Sequence, residues 1–272
     1  MKTCLITGQS GFIGQNLAKV LQQHNINPVA YPREFYERPG DNAQAITEFL
    51  FTYKPNYVVH LAAGGNLATQ HEQDAEVKVN VINFYNFLNT IGYINFDILI
   101  NFSSSSVTLP EQTLYSSTKK CAEALLESYP KPSVTVRPYS VTGVGEQKIH
   151  LIPTLIDAAF TGREIPFVSW PKHDFIDVED VCRAVLHIME NHKMCKGLVI
   201  PVGTGIQFSN NEVKYMVEAM SGRDIKIKKT EEMRSYDTTD WKANTHILKS
   251  IGFSPKWSLE QTIKKMIDAY DH

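Results

Sequence analysis

Thr7-Gly8-Gln9-Ser10-Gly11-Phe12-Ile13-Gly14 joins the apolar run Cys4-Leu5-Ile6 to a segment whose apolar residues Ile13, Leu17, Val20 and Leu21 keep helical spacing. A strand therefore feeds a helix through a turn with three spaced glycines. Gly8 permits the tight bend, Gly11 lets the backbone approach a pyrophosphate, and Gly14 lets the helix pack closely on the strand. Ser10, Phe12 and Ile13 complete the turn and the helix start, where free N–H groups carry a partial positive charge suited to phosphate. Three glycines alone are a weak signal. Their strand-turn-helix setting at the first βα junction makes them a dinucleotide cradle. The plain alternative is a glycine-rich turn that holds no ligand.

Outward from this turn, strand-like and helix-like segments alternate. Strands are expected over 28–31, 57–62, 96–102 and 133–137, and helices over 45–53, 76–91 and 115–128. This rhythm predicts an α/β fold: a Rossmann-type doubly wound parallel sheet covered by helices on both faces. Helices are also expected over 151–160 and 178–190, and short strands over 165–168 and 197–202. After Thr204 strands become scarce, while Leu259, Ile263, Met266, Ile267 and Tyr270 keep helical spacing. The expected division is a dinucleotide-binding domain of residues 1–143 plus 173–205 and a small C-terminal substrate-binding lobe of 144–172 plus 206–272.

The sequence has 272 residues, 43% hydrophobic and 21% charged, which fits a soluble globular chain and excludes a disordered one. Its 27 Lys and Arg against 29 Asp and Glu give a net charge of −2. That balance offers no counterion-release drive for nucleic acid and no polybasic membrane anchor. Cys4, Cys121, Cys182 and Cys195 form no disulfide framework. No apolar run approaches the roughly 18 residues of a membrane span, and the first residues lack a signal-peptide stretch. A cytoplasmic protein is the expectation. The nine histidines show no metal spacing, so no metal is expected. Asp177, Glu179 and Asp180 read as charges at a helix start, and the three tryptophans as packing or rim residues.

The end of the second strand bears on the cofactor. NAD binders place an acid there for the ribose hydroxyls, whereas NADP binders place an arginine near the 2′-phosphate. Here the chain reads Tyr31-Pro32-Arg33-Glu34. Arg33 points to NADP, with NAD the alternative if Glu34 holds the ribose. Tyr115 and Lys119 stand at i and i+4 of an expected helix, on one face. An ammonium beside the phenol would favour phenolate and make Tyr115 a usable acid/base. A serine run, Ser103 to Ser106, lies just upstream at a strand end, where a hydroxyl can bond the oxygen that Tyr115 protonates. The plain alternative is that these hydroxyls satisfy backbone groups.

With these motifs in order, the chain resembles the extended short-chain dehydrogenase/reductase superfamily, in its NAD(P)-dependent nucleotide-sugar epimerase, dehydratase and reductase branch. The resemblance runs through the glycine turn, Asp41-Asn42, Val59-His60-Leu61-Ala62-Ala63, Asn80-Val81, Ser103 to Ser106 and Tyr115 to Lys119. It continues through Arg137-Pro138-Tyr139-Ser140-Val141-Thr142-Gly143, Asp174 to Val181 and Gly252-Phe253-Ser254-Pro255. It implies Tyr115 as acid/base, Lys119 as its tuner and ribose anchor, and Ser104 as the third catalytic member, with Ser105 the runner-up. It implies further cofactor contacts at Asp41, Asn42, Leu61, Ala62, Ala63, Asn80, Pro138 and Val141. It also suggests a homodimer built on helices 76–91 and 115–128, where Val77, Val81, Phe84, Phe87 and Leu88 serve the interface or the core.

Departures from the family pattern narrow the chemistry. The 4,6-dehydratases carry Asp-Glu right after the catalytic Ser/Thr, where this chain has Ser105-Ser106. The decarboxylases want Glu, and the 3,5-epimerising reductases Cys, where Ser106 stands. What remains is 4-epimerisation or 4-keto reduction of a nucleotide sugar. Lys172-His173 replaces the usual substrate-diphosphate arginine, Ser140 replaces the usual Asn, and only eleven positions separate Ser104 from Tyr115. These keep open a reductase of a non-sugar carbonyl. A non-catalytic NAD(P) sensor of the same fold is the rival from another class.

Overall fold

The computed structural model describes residues 1–65, 73–230 and 237–270. The chain runs β1 (Lys2–Thr7), α1 (Phe12–Gln23), β2 (Ile26–Ala30), α2 (Arg33–Glu37), α3 (Ala43–Tyr53), β3 (Tyr57–His60), α4 (Gln73–Val77) and α5 (Phe84–Ile91). It continues through β4 (Ile98–Phe102), α6 (Leu114–Glu127), β5 (Ser133–Pro138), β6 (Ser140–Thr142), α7 (Leu151–Thr161), β7 (Ile165–Phe167), β8 (Lys172–His173) and β9 (Phe175–Asp177). Then come α8 (Val178–Glu190), α9 (His192–Cys195), β10 (Val199–Val202), β11 (Phe208–Ser209), α10 (Asn210–Ser221), β12 (Ile227–Lys229), α11 (His246–Ser250) and α12 (Leu259–Tyr270).

Six strands form one sheet in the order β10-β5-β4-β3-β1-β2, and its β1–β2, β1–β3, β3–β4 and β4–β5 ladders are parallel. This is the doubly wound α/β sheet that the alternation predicts. The order reverses at β1, which lies between β2 and β3. The loops leaving β1 and β3 therefore flank a topological switch point, where open α/β sheets place their ligands. Central strands are buried on both faces: β4 is buried along its whole length, Asn101 included, as a sheet covered on both sides requires.

The expected single helix over 76–91 is α4 and α5 joined through a π-helical turn, Lys78–Asn83. Phe84, Phe87 and Leu88 pack into the core with Leu5, Val58 and Leu99, so they cannot serve a dimer face. Val77, Ile82 and Tyr85 are the exposed apolar residues of this stretch.

The chain divides into two compact units, Met1–Pro138 with Cys182–Ile200, and Tyr139–Val181 with Pro201–His272. The second unit thus takes residues 139–143, 173–181 and 201–205, which the sequence division gave to the first. Pairing of β6 with β9 accounts for part of this. Its core joins Ile152, Leu155 and Ile156 of α7 to Val213 and Val217 of α10 and Ile263 of α12. Strands are short there, and buried aspartates do the joining. Asp174 accepts from the backbone N–H groups of Thr204, Gly205 and Ala243 at 2.8–2.9 Å. Asp177 caps α8 through Glu179 N–H and also meets Thr262 and Lys265. Asp180 instead accepts from Lys256 and Trp257 N–H, fixing the approach to α12. Among the described residues no helix is long and apolar enough to cross a membrane.

Candidate active site

The glycine turn is built as its residues require. Gly8 has φ +69°, and a Cβ on it would lie 2.8 Å from Ala62 N. A Cβ on Gly14 would lie 2.5 Å from Gly8 O, so only glycine lets α1 start this close to the turn. Gly11 caps α1, its N–H donating to Gly8 O at 3.0 Å. No side chain caps α1 and no acid sits in its first turn. Its first N–H groups thus face outward for an anion.

The opposite wall is fixed from behind. Thr7 Oγ1 accepts from Leu61 and Ala62 N–H at 3.2 and 3.1 Å and lies 2.8 Å from His60 Nδ1. A hydroxyl that accepts two amides gives its own proton to Nδ1, which leaves the proton of His60 on Nε2. Burial, with help from the Lys119 charge, holds His60 well below its ordinary pKa, so the ring is neutral. Asn80, in the π-helical turn, grips Gly64 twice, at 2.9 and 3.0 Å, and donates to Thr118 Oγ1 at 2.9 Å. Thr118 in turn donates to Tyr115 O at 2.8 Å. One asparagine thereby ties the loop after β3 to the first turn of α6.

Between these walls lies a cleft of about 970 Å³. Of the residues the sequence singled out, Gly8, Ser10, Gly11, Arg33, Leu61, Ala62 and Ala63 line it. Phe12, Ile13 and Gly14 sit behind the turn, at the start of α1. Asp41 and Asn42 are not in the lining; the Asn42 amide is spent on Arg38 O and Glu34 O. Pro138 closes β5, and Val141 belongs to the second unit. The sequence reading missed Tyr31, Tyr36, Glu37 and Glu76, which also line the cleft. Tyr36 carried no sequence signal: its hydroxyl donates to Val79 O at 3.0 Å and lies 3.4 Å from His60 Nε2, partners that spacing does not reveal. The glycine cradle, the uncapped helix start and the volume of the cleft fit a dinucleotide.

Tyr115 and Lys119 share α6, which Thr113 and Ser116 start with a reciprocal capping box. Ser104 caps the short turn Ser105–Thr108, accepting from Ser106 N–H at 3.1 Å and meeting Ser106 Oγ at 2.8 Å. Burial pushes the Tyr115 phenol up to about 12; a hydrogen bond with Ser104 pulls it down and the Glu76 charge pushes it further up. Ser104 and Glu76 both act on the phenol, and Lys119 stands one turn further along α6. Lys119 is itself buried, which pulls its ammonium down to about 8 against the opposing charge of Glu123. Glu123 is held by Arg137 through two hydrogen bonds of 2.9 and 2.6 Å. The phenol thus keeps its proton at neutral pH while the lysine can release one, and Ser104, Tyr115 and Lys119 are not among the residues lining the cleft.

A fold and a site of this kind define a dinucleotide-dependent α/β enzyme, and the comparisons agree. The chain belongs to the NAD dependent epimerase/dehydratase family, whose model matches residues 4–203. It is 26% identical to a GDP-6-deoxy-D-talose 4-dehydrogenase of Aggregatibacter actinomycetemcomitans, over 86% of this chain and 85% of the relative. It superposes on MoeE5 in complex with UDP-glucuronic acid and NAD with a TM-score of 0.87, at 24% identity and 99% coverage of both chains. A UDP-glucuronic acid 4-epimerase from Bacillus cereus, in complex with UDP-glucuronic acid and NAD, gives 0.84 at 21% identity and 99% coverage of both.

The buried Lys119 makes stability depend on pH in a known direction. Its pKa is about 8 in the fold and 10.5 in the unfolded chain, so between these values the unfolded state binds more protons. Stability therefore rises with pH across that window. Lys119→Met removes this rise. Urea unfolding at pH 7.5 and pH 10 (about the two ends of the window) should show wild type gaining on the variant by a few kcal/mol, in order of magnitude. An unchanged difference between the two proteins would contradict the buried, proton-releasing lysine.

Proposed function

We propose that this chain is an NAD(P)-dependent 4-epimerase or 4-keto reductase of a nucleotide-activated sugar, with Ser104, Tyr115 and Lys119 as its catalytic residues. The observation that supports the reading is the hydrogen bond of Ser104 with Tyr115, with Lys119 one turn on along α6, in the unit that also holds the cleft. When bound, the nicotinamide cofactor supplies the hydride acceptor or donor. Tyr115 exchanges the proton at the reacting sugar oxygen, and the Ser104 hydroxyl holds that oxygen by a hydrogen bond. Lys119 anchors the cofactor ribose and supplies positive charge when phenolate forms. The turn Gly8 to Gly14 holds the pyrophosphate, and Leu61, Ala62 and Ala63 shape the opposite wall. A relative whose name places its chemistry at sugar position 4 supports the choice of carbon. Ser105 and Ser106, in place of acids, support hydride transfer without elimination.

Tyr115→Phe should lower kcat by about 10²–10⁴ while leaving the fold and cofactor affinity in place. Ser104→Ala should lower it less, because the proton carrier remains. Lys119→Met should lower kcat and weaken cofactor binding together. The assay begins with a 4-keto nucleotide sugar and NADPH. Near-full turnover by Tyr115→Phe would remove Tyr115 from the proton transfer, and cofactor binding without any wild-type turnover would turn the reading to a non-catalytic NAD(P) sensor.

The cofactor preference proposed is NADP over NAD, through Arg33. Its side chain is 87% exposed, lines the cleft beside Tyr31 and Pro32, and pairs with Glu37 at 2.6 Å. An exposed pair is worth about 0–1 kcal/mol, so a 2′-phosphate can displace Glu37. Calorimetry should find NADP(H) tighter than NAD(H), and Arg33→Ala should erase most of the difference. Equal affinities in the wild type would reject the preference.

A homodimer formed through the helices over 73–91 and α6 completes the reading, with Val77, Ile82 and Tyr85 as the apolar residues available to it. Light scattering at micromolar concentration should give twice the chain mass, and Ile82→Glu should reduce it to one. A wild-type monomer would reject the dimer.

A further inference from the structure

Glu76 stands in α4 and lines the cleft together with Gly64, Gly65 and Val79. Its relative exposure is 8%, and its Oε2 has no hydrogen-bond partner among the described residues. No cation pairs with it there. The chain makes room for the carboxyl: Gly65 has φ +87°, and a Cβ on Gly65 would lie 2.1 Å from Glu76 Cδ. The carboxyl lies close enough to Tyr115 to act on the phenol.

A buried, unpartnered carboxyl is a burden on the fold. Leaving one acceptor of this kind unsatisfied costs about 1–3 kcal/mol, and more when it is charged. Burial raises the pKa of Glu76, the direction such a burden produces. Among the described residues its side chain makes neither a helix cap nor an ion pair. The Glu76 side chain lines the cleft, and a carboxyl there without a protein partner is explained by a donor that the ligand brings.

We propose that Glu76 is a ligand-recognition residue, whose carboxylate accepts a hydrogen bond from a neutral O–H or N–H donor of the bound cofactor or sugar and disfavours an anionic group at that place. The inference rests on the proposed function and adds a specificity residue to it. The shared chemistry is a neutral donor. Its two sources are the amide and ribose hydroxyls of the cofactor and the hydroxyls of the sugar. A sugar carrying a carboxylate toward Glu76 would meet like charge in a poorly screened place.

Calorimetry on wild type, Glu76→Ala and Glu76→Gln, with NAD(H) and NADP(H) in one arm and UDP-glucose and UDP-glucuronic acid in the other, tests this. Glu76→Ala should weaken the ligand that supplies the donor by about 10- to 100-fold. Glu76→Gln, which keeps a carbonyl acceptor, should recover most of the loss. If the sugar is the source, Glu76→Gln should also narrow the preference for UDP-glucose over UDP-glucuronic acid. Without ligand, Glu76→Ala should melt at the same temperature as wild type or higher. Unchanged affinities for every probe in both variants, or a lower melting temperature for ligand-free Glu76→Ala, would overturn the inference while leaving the proposed function standing. A wild-type chain that binds none of the probes defeats the proposed function itself, and the inference with it.

Discussion

The close approach of two backbones at the end of β1 and β3 governs the rest of the site. Gly8 passes so near Ala62 that any side chain there would strike its amide. Thr7, one residue earlier, ties the same two strands through its hydroxyl, which serves Leu61 and Ala62 and orients His60. These contacts make a narrow cleft whose two walls cannot drift independently. They also fall where the sheet order reverses, so the walls diverge toward open space and leave a place for a long, thin ligand.

Chemistry is attached to this frame by a short relay. Asn80 holds Gly64 and reaches Thr118, and Thr118 holds the carbonyl of Tyr115. The position of the phenol is thus linked to the cleft wall through two side-chain contacts. Its electrostatics come from another direction. Burial resists ionisation of Tyr115 and equally resists the charge on Lys119, and the pair is left with opposite tendencies: one keeps its proton and the other gives it up. Glu123, braced by Arg137, restrains how far Lys119 is shifted. Groups pushed apart in this way are typical of proton-transfer sites.

Much of this was legible in the residues. The glycine turn declares itself because the spacing, the preceding apolar run and the following amphipathic helix agree. Strand and helix alternation fixes the sheet class for the same reason: periods of 2 and 3.6 are local properties. What stayed hidden depends on distant partners or on breaks in period. The π-helical turn at Lys78–Asn83 leaves no mark that spacing can read, yet it aims Asn80. Asp180 looks like a helix-start charge until its partners, Lys256 and Trp257, are seen far along the chain. Glu76 has the same disguise, since an acid in the first turn of a helix reads as a complement to the helix dipole. Asp41 and Asn42, expected as cofactor contacts, stand outside the cleft lining, and local hydrogen bonds hold the Asn42 amide.

Hydrogen exchange of the backbone amides, with and without NAD(H), tests the central claim that the β1–β3 junction is a dinucleotide cleft. The account predicts slowed exchange at residues 8–14 and 61–65, where the uncapped start of α1 and the Thr7-held loop face each other across the cleft. Tight binding with protection elsewhere and none in these two stretches would contradict it.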